Sequence, residues 1–347
     1  MKRIALLLPI LFAISLMTQG TVTGAEDFYK GKTIRLVVGN STGGAMDDWG
    51  RFVALYLGKH IPGNPDVVVQ NMPGAGAIIA ANYIYNVAKP DGLTLGVVNP
   101  ANYIDQLLAS KEVKFDWPKF SWIGSPERVD QVLFMRTDVA YKTIDELRAA
   151  KDPPRCAALA RAGLGYLLPR LLEEGLGVKL NMVLGYGGGG DMNLAIEKGE
   201  VQCRGLTAAP FFGREPFISW RKKHFVNVLL YGGLKRDPRT PDTPTIYEIF
   251  DKENTPEETR RVADVILRGG DFGRPWVMPP ETPKDLVSLM RAAYAKAMKD
   301  TALLDEAKKA KFEVEFVSGE ELQKLAEKMI DQPPGVVARV KKLLGQS

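Results

Sequence analysis

Apolar residues recur along this chain in short blocks, and glycine closes most of them. Thr33 to Val38 reads as a buried strand, Gly39 to Gly44 as a loop, and Asp47 to Leu57 repeats apolar residues at helical spacing. Asp66 to Gln70 is a second short strand. It leads through Asn71-Met72-Pro73-Gly74-Ala75-Gly76 into an Ala/Ile/Tyr helix from Ala77 to Val87. Pro90-Asp91-Gly92 is a turn before a third strand, Thr94 to Val98, which breaks at Asn99-Pro100. The alternation then starts again. Strands are expected at Gln131 to Met135, Arg155 to Leu159, Leu180 to Leu184, around Glu200 to Cys203, and at Val226 to Leu230. Between them, Arg161 to Gly165 opens a helix to Glu173, and Gly185 to Gly190 opens one from Asp191 to Lys198. Strands alternating with helices predict parallel sheets covered on both faces, and two such sets predict two α/β lobes. No repeat at a fixed 20–50-residue period occurs, which argues against a solenoid. The tail is helical, with Thr282-Pro283 as N-cap and first turn and Ser318 to Glu321 at capping-box spacing.

The N-terminus has a different pattern. Lys2 and Arg3 precede an apolar run from Ile4 to Met17, shorter than the ~20 residues a membrane-spanning helix needs. Thr23 and Ala25 then suit the −3 and −1 positions of a leader-peptidase site. Residues 1–25 are therefore expected to be an export signal cleaved after Ala25, and the mature chain to be periplasmic. The signal contains no Cys to carry a lipid.

Length and composition narrow the classes. The 347 residues suit about two domains, and 45% hydrophobic with 25% charged residues is ordinary for a globular chain. A formal charge of +5, or +3 without Lys2 and Arg3, with no basic run, gives no reason to expect a nucleic-acid partner. Two histidines, His60 and His224, are too few for a multi-His metal site. Two cysteines, Cys156 and Cys203, are too few for a zinc ribbon. No metal and no cofactor is expected. The cysteines fall on two strands of one expected lobe. In a doubly wound order those strands can be neighbours, and an oxidising compartment permits a disulfide; against it, adjacent parallel strands rarely present the Cβ geometry a disulfide needs, and two buried thiols are the alternative.

The 34 glycines carry the functional signal. A loop that leaves a strand and opens a helix aims free N–H groups at the positive end of the helix dipole, and glycine lets a ligand approach the backbone. Several such loops between two lobes would make an anion site; alternatively, the glycines only shape tight βα turns. Sharper motifs match in part. Gly39-Asn40-Ser41-Thr42-Gly43 fits the G-x-S-x-G nucleophile elbow, so a secreted α/β serine hydrolase using Ser41 is the second reading. It lacks an evident acid–His pair downstream. Gly185-x-Gly187-x-x-Gly190 fits a dinucleotide fingerprint, but Cys203-Arg204-Gly205 stands where an acidic ribose ligand is expected. Arg161 and Arg204 each end an expected strand, where an arginine either pairs with a ligand carboxylate or is a solvated rim charge. Asp47 and Arg51, four apart, are expected to pair and fix a helix start. Ala75, already an alanine, is expected to need no left-handed backbone.

Taken in order, these segments resemble one family. Ile34 to Val38 with Gly43-Gly44-Ala45-Met46-Asp47 and Gly50-Arg51 resembles its first strand and GG-x-x-D-x-x-[AG]-R helix. Val67 to Gly76 resembles its V-x-N-x-PGAGG segment, with Ala77 in place of the last glycine. Pro90 to Leu95 resembles its PDG-[YL]-T-L turn, Tyr186 to Gly190 with Glu200-Val201 its Y-[KG]-G-x-G…V stretch, and Asp242 to Thr245 its PD-[VT]-PT element. The family is that of the substrate-binding proteins of tripartite tricarboxylate transporters, the Bug-type receptors. The resemblance implies a two-lobed periplasmic-binding-protein (Venus-flytrap) architecture, each lobe a mainly parallel sheet flanked by helices. It implies a monomer that binds a small anionic solute, commonly a carboxylate, and delivers it to a large and a small membrane subunit without catalysis. By position, the implied ligand-binding residues are Ser41, Thr42, Gly43 and Gly44, then Gly74, Ala75, Gly76 and Ala77. In the other lobe they are Arg161, Gly163, Gly165, Tyr186, Gly187, Gly188, Gly189 and Thr207. The lobes are expected to be 26–124 with 236–347, and 125–235, hinged near Gly124 to Glu127 and near Gly232 to Arg236.

Overall fold

The structure, a computed structural model, describes residues 28–43, 45–158, 164–186 and 189–345. The expected leader lies outside the described residues. Two sheets organise the chain. The strands, numbered along the sequence, are β1 (Thr33–Val38), β2 (Asp66–Asn71), β3 (Thr94–Val97), β4 (Ser121–Ser125), β5 (Gln131–Arg136) and β6 (Arg155–Ala157). They continue as β7 (Asn181–Val183), β8 (Cys203–Thr207), β9 (Val226–Tyr231), β10 (Trp276–Met278) and β11 (Val317–Ser318). The first sheet has the order β11-β4-β10-β3-β1-β2 and the second β7-β6-β8-β5-β9.

β1 buries Ile34, Leu36 and Val38 on one face and Val37 on the other, because helices cover both. Helix Ala45–Leu57 buries Met46, Trp49, Phe52, Val53 and Leu57 on one side, at helical spacing. Helix Ile78–Asn86 buries Ile78, Ala81 and Ile84 on the other. Edge strand β2 alternates exposed and half-buried residues.

Both sheets are mixed, which corrects the expectation of mainly parallel ones. β1 pairs parallel with β2 and β3, and β6 with β7 and β8; β10, β11 and β5 run antiparallel to their neighbours. The reason is topological. β1 to β4 and β6 to β9 end on the side where the chain crosses between sheets. β5 and β10 begin there, each entering the middle of its sheet from the other one, so they must run the opposite way.

The crossovers lie side by side. Gly232 N donates to Gln131 O at 2.7 Å, and Val129 N to Gly270 O at 2.9 Å. Behind them, Tyr103, Trp117, Phe120, Trp122 and Phe272 form a buried aromatic cluster. Burial of each such ring is worth on the order of 3 kcal/mol, a rigid seat for the crossover. Helices Ile246–Lys252 and Glu257–Leu267, which follow the second crossover, touch helix Leu164–Leu176 beside the second sheet: a Cβ on Gly175 would meet Thr259 and Phe250. Arg339 near the C-terminus pairs with Glu174 at 2.7 Å. Ser318 and Glu321 form the expected capping box. Thr282 instead donates to Pro279 O, and its helix starts at Lys284.

Candidate functional site

The loops after β1, β2 and β3 leave the first sheet on the crossover side, as do those after β6, β7 and β8 in the second. In the first loop Ser41, Thr42 and Gly43 are exposed. Asp47, 1% exposed, anchors them from the first turn of its helix. Its carboxylate accepts from Gly43 N at 2.9 Å, Arg51 Nε at 3.0 Å and Asn71 Nδ2 at 2.8 Å. Burial disfavours the ionised form, but these donors outweigh it and hold the Asp47 carboxyl below the usual carboxylate range. Asn71, at the end of β2, also donates to Asn40 O and accepts from Thr42 Oγ1 and Arg51 Nη2. The expected Asp47–Arg51 pair is thus one part of a network that ties the first loop to the second strand.

The second loop has an unusual backbone. Gly74, Ala75, Gly76 and Ala77 have φ of 137°, 45°, 64° and 74°. Ala75 therefore does occupy the left-handed region, contrary to the sequence expectation. An alanine is strained there by roughly 1–2 kcal/mol, and two of the four residues are alanines. The loop is pinned from the third strand's exit. Gly76 O accepts from Asn99 Nδ2 and Asn102 Nδ2, both at 3.1 Å. It also presses on the first loop: a Cβ on Gly39 would lie 2.6 Å from Ala77 Cβ. Gly74, Ala75 and Gly76 are exposed and Ala77 is buried. The loop opens helix Ile78–Asn86, whose N-terminus carries no side-chain cap; Ile78 N donates back to Ala75 O, and the N–H groups after it have no side-chain acceptor from a cap. Asn40 Oδ1 and Asn102 Oδ1 are buried without a partner among the described residues. The pinning asparagines act on backbone atoms 23 to 31 residues away, so no local spacing marks that role, although Asn71 lay within a noted motif and Asn99 at a noted strand break.

In the second lobe, Arg161, Gly163, Gly187 and Gly188 lie outside the described residues, as does Gly44 in the first. Gly165 packs directly on β8: a Cβ there would lie 2.7 Å from Gly205 O. Half-buried Tyr186 follows β7, Gly189 starts helix Gly189–Glu197, and Thr207 ends β8. Cys156 and Cys203 stand in register on β6 and β8, Cα atoms 4.4 Å apart, joined as a disulfide. His60 is bound to Asp300 at 2.8 Å, and the His224 carbonyl accepts from Thr137; among the described residues neither histidine is hydrogen-bonded to Ser41, so nothing described completes a hydrolase triad. A separate cavity of about 650 Å³ opens along the β9 edge near Lys142, Asn227, Arg236 and Arg239, and shares none of these loop residues.

A model of the tripartite tricarboxylate transporter family receptor matches residues 51–341. A Cupriavidus necator protein described as "UPF0065 protein in gbd 5'region" is 26% identical over 319 residues, 90% of this chain and 89% of that one. A TctC solute-binding protein from Polaromonas superposes with a TM-score of 0.69 at 21% identity, covering 91% of this chain and 99% of that one. The R. palustris protein Rpa4515, solved with adipate, superposes with a TM-score of 0.58 at 20% identity, over 91% and 98% of the two chains.

Proposed function

This chain belongs to the tripartite tricarboxylate transporter receptor family, and from that premise we propose that it binds one small carboxylate, or a related anionic metabolite, between its lobes and hands it to the large and small membrane subunits of a tripartite transporter. The family is one of solute-binding receptors, and membership implies export to the periplasm. The leader is removed after Ala25, and the mature protein works as a monomer. The crossovers near Gly124 to Glu127 and Gly232 to Arg236 are the hinge between lobe 26–124 with 236–347 and lobe 125–235. The segment 246–267 straddles the two. The solute lies against Ser41 to Gly44 and Gly74 to Ala77 in one lobe. In the other it meets Arg161, Gly163, Gly165, Tyr186 to Gly189 and Thr207. The protein solved with adipate is a precedent for a carboxylate on this fold.

One observation carries this reading. The loop Gly74 to Ala77 holds two alanines in left-handed backbone, pinned by two asparagines, at an uncapped helix N-terminus. Strain of this kind persists where the surroundings over-determine it and collects at ligand clamps. A helix N-terminus stabilises negative charge through its dipole and free N–H groups. The test is a thermal-shift screen of the mature protein against mono- and dicarboxylates, adipate and succinate among them. A ligand at 100 times its Kd adds about 2.7 kcal/mol of stability. No shift with any carboxylate, together with fluorophosphonate labelling at Ser41, would replace the receptor reading with the hydrolase. Intact mass of exported material checks the cleavage after Ala25.

A further inference from the structure

Arg204, on β8, sits where the receptor reading puts the solute, its guanidinium 5.9 Å from the centre of the Phe217 ring and paired with no carboxylate among the described residues. By register it is level with Ala157 and Val183, the last residues of β6 and β7, where the loops toward the crossover side begin. Its Nη1 donates to Gly189 O at 3.3 Å and to Asn193 Oδ1 at 2.6 Å, both on helix Gly189–Glu197. Both acceptors are neutral. Among the described residues no carboxylate lies within ion-pair distance of it, whereas Arg128, Arg239, Arg268 and Arg274 each have one. Among the described residues, buried Nε has no partner, and the hydrogen bonds of the guanidinium run from Nη1 alone. Burial alone pushes the guanidinium down to about 10. Gly189 helps keep the Nε–Nη2 side clear, since a Cβ there would stand 3.3 Å from Nη2.

An arginine presents carboxylates with a planar fork, and the Nε–Nη2 edge is one of its two-pronged faces. Here Nη1 is used to hold the side chain against the helix, and no described residue takes that edge. A half-buried cation without an anion is costly to keep, and this one also lies beside the positive end of a helix, which adds to the cost. A single bound oxyanion satisfies both. We propose that the Nε–Nη2 edge of Arg204 is the charged anchor of the solute site, taking one planar carboxylate of the ligand two-pronged. The inference rests on the receptor reading and adds to it a side chain that selects for carboxylate.

The test is calorimetric titration of the mature protein and of Arg204→Met and Arg204→Lys with succinate and adipate, alongside melting of each ligand-free protein. Loss of a charge-assisted contact predicts affinity about ten- to a hundred-fold weaker in Arg204→Met. In Arg204→Lys, which keeps the charge without the fork, the loss is smaller. Ligand-free Arg204→Met should melt no lower than the parent, because an uncompensated cation has been removed. If that variant does not fold, the Arg204 Nε–H resonance of the parent, assigned by its absence from Arg204→Lys, should shift on saturation with the dicarboxylate. Unchanged affinity in Arg204→Met, or an unmoved Nε–H resonance, overturns the anchor and leaves the receptor reading standing. A parent protein that binds neither dicarboxylate nor any other carboxylate overturns both.

Discussion

Reduction of the Cys156–Cys203 bond gives a prediction whose size follows from the chain. The bond closes a loop with a sequence separation of 47. In the chain-entropy treatment, closing about 47 residues removes roughly 13–14 cal/mol/K from the unfolded state, or about 4 kcal/mol at 25 °C. The reduced side chains still pack, because both cysteines are fully buried in one apolar cluster, so the folded state loses little. The unfolding entropy is about 2.1 cal/mol/K per residue. Over the 322 residues that remain of 347 with cleavage after Ala25 as proposed, it totals about 0.7 kcal/mol/K. The melting temperature should then fall by about 6 °C if the two lobes unfold together, and by more if the second lobe unfolds alone. The assay is scanning calorimetry of oxidised protein against protein refolded and held in reductant, with Cys156→Ala/Cys203→Ala as a control insensitive to reductant. Alkylation of denatured, unreduced periplasmic material should label no thiol. Two labelled thiols, or a melting temperature unmoved by reduction, would refute the reasoning. The bond also ties β8 to β6 one residue before Arg204, so the reduced protein should bind its solute more weakly as well as melt earlier.

Other consequences follow from the same geometry. Asp130, in the first crossover, is pushed up to about 6 by burial, with Asp271 and Glu315 adding repulsion against the pull of Arg128. Its folded state holds the proton more tightly than the unfolded chain does. Stability should therefore fall as pH rises from about 4 to 6, and Asp130→Asn should flatten that slope and add up to about 3 kcal/mol at pH 7, read by urea unfolding at several pH values. Asp47 behaves oppositely. Its lowered carboxyl contributes stability that is present above the usual carboxylate range and lost in acid, and Asp47→Asn should remove that loss while loosening the first loop. Gly39→Val drives a side chain against Ala77, should cost about 1–3 kcal/mol by overpacking, and should abolish solute binding by displacing the second loop.

How much of this was legible in the sequence differs from element to element. The βα units were, because each pairs a compact apolar run with glycine and a 3.6-residue period; β1 falls on Thr33–Val38 as read. Of the strands that make the sheets mixed, β5 was legible as a strand but not in its direction, and β10 and β11 were not legible. β10 is three residues and β11 is two, too short to show a period, and they are strands only because the chain returns beside β3 and β4. The first loop's anchor was partly visible as the Asp47–Arg51 spacing, while its links to Asn40 and Asn71 depend on tertiary approach. The left-handed Ala75 and Ala77 were invisible, because alanine gives no sign of positive φ and the contacts that hold it come from Asn99 and Asn102. Arg204 stood at a noted strand end, but the sequence could not show that no acid faces it.

The central claim is that the solute is gripped by the backbone of the strand-end loops. It is tested most directly by hydrogen exchange of the mature protein with and without the carboxylate that gives the largest thermal shift. The account predicts ligand-dependent protection in peptides covering residues 39–44 and 74–80, with matching protection around residues 184–190. It predicts no change along the β9-edge cavity near Lys142 and Arg236. Protection confined to that cavity, with the 39–44 and 74–80 peptides unchanged, would contradict it.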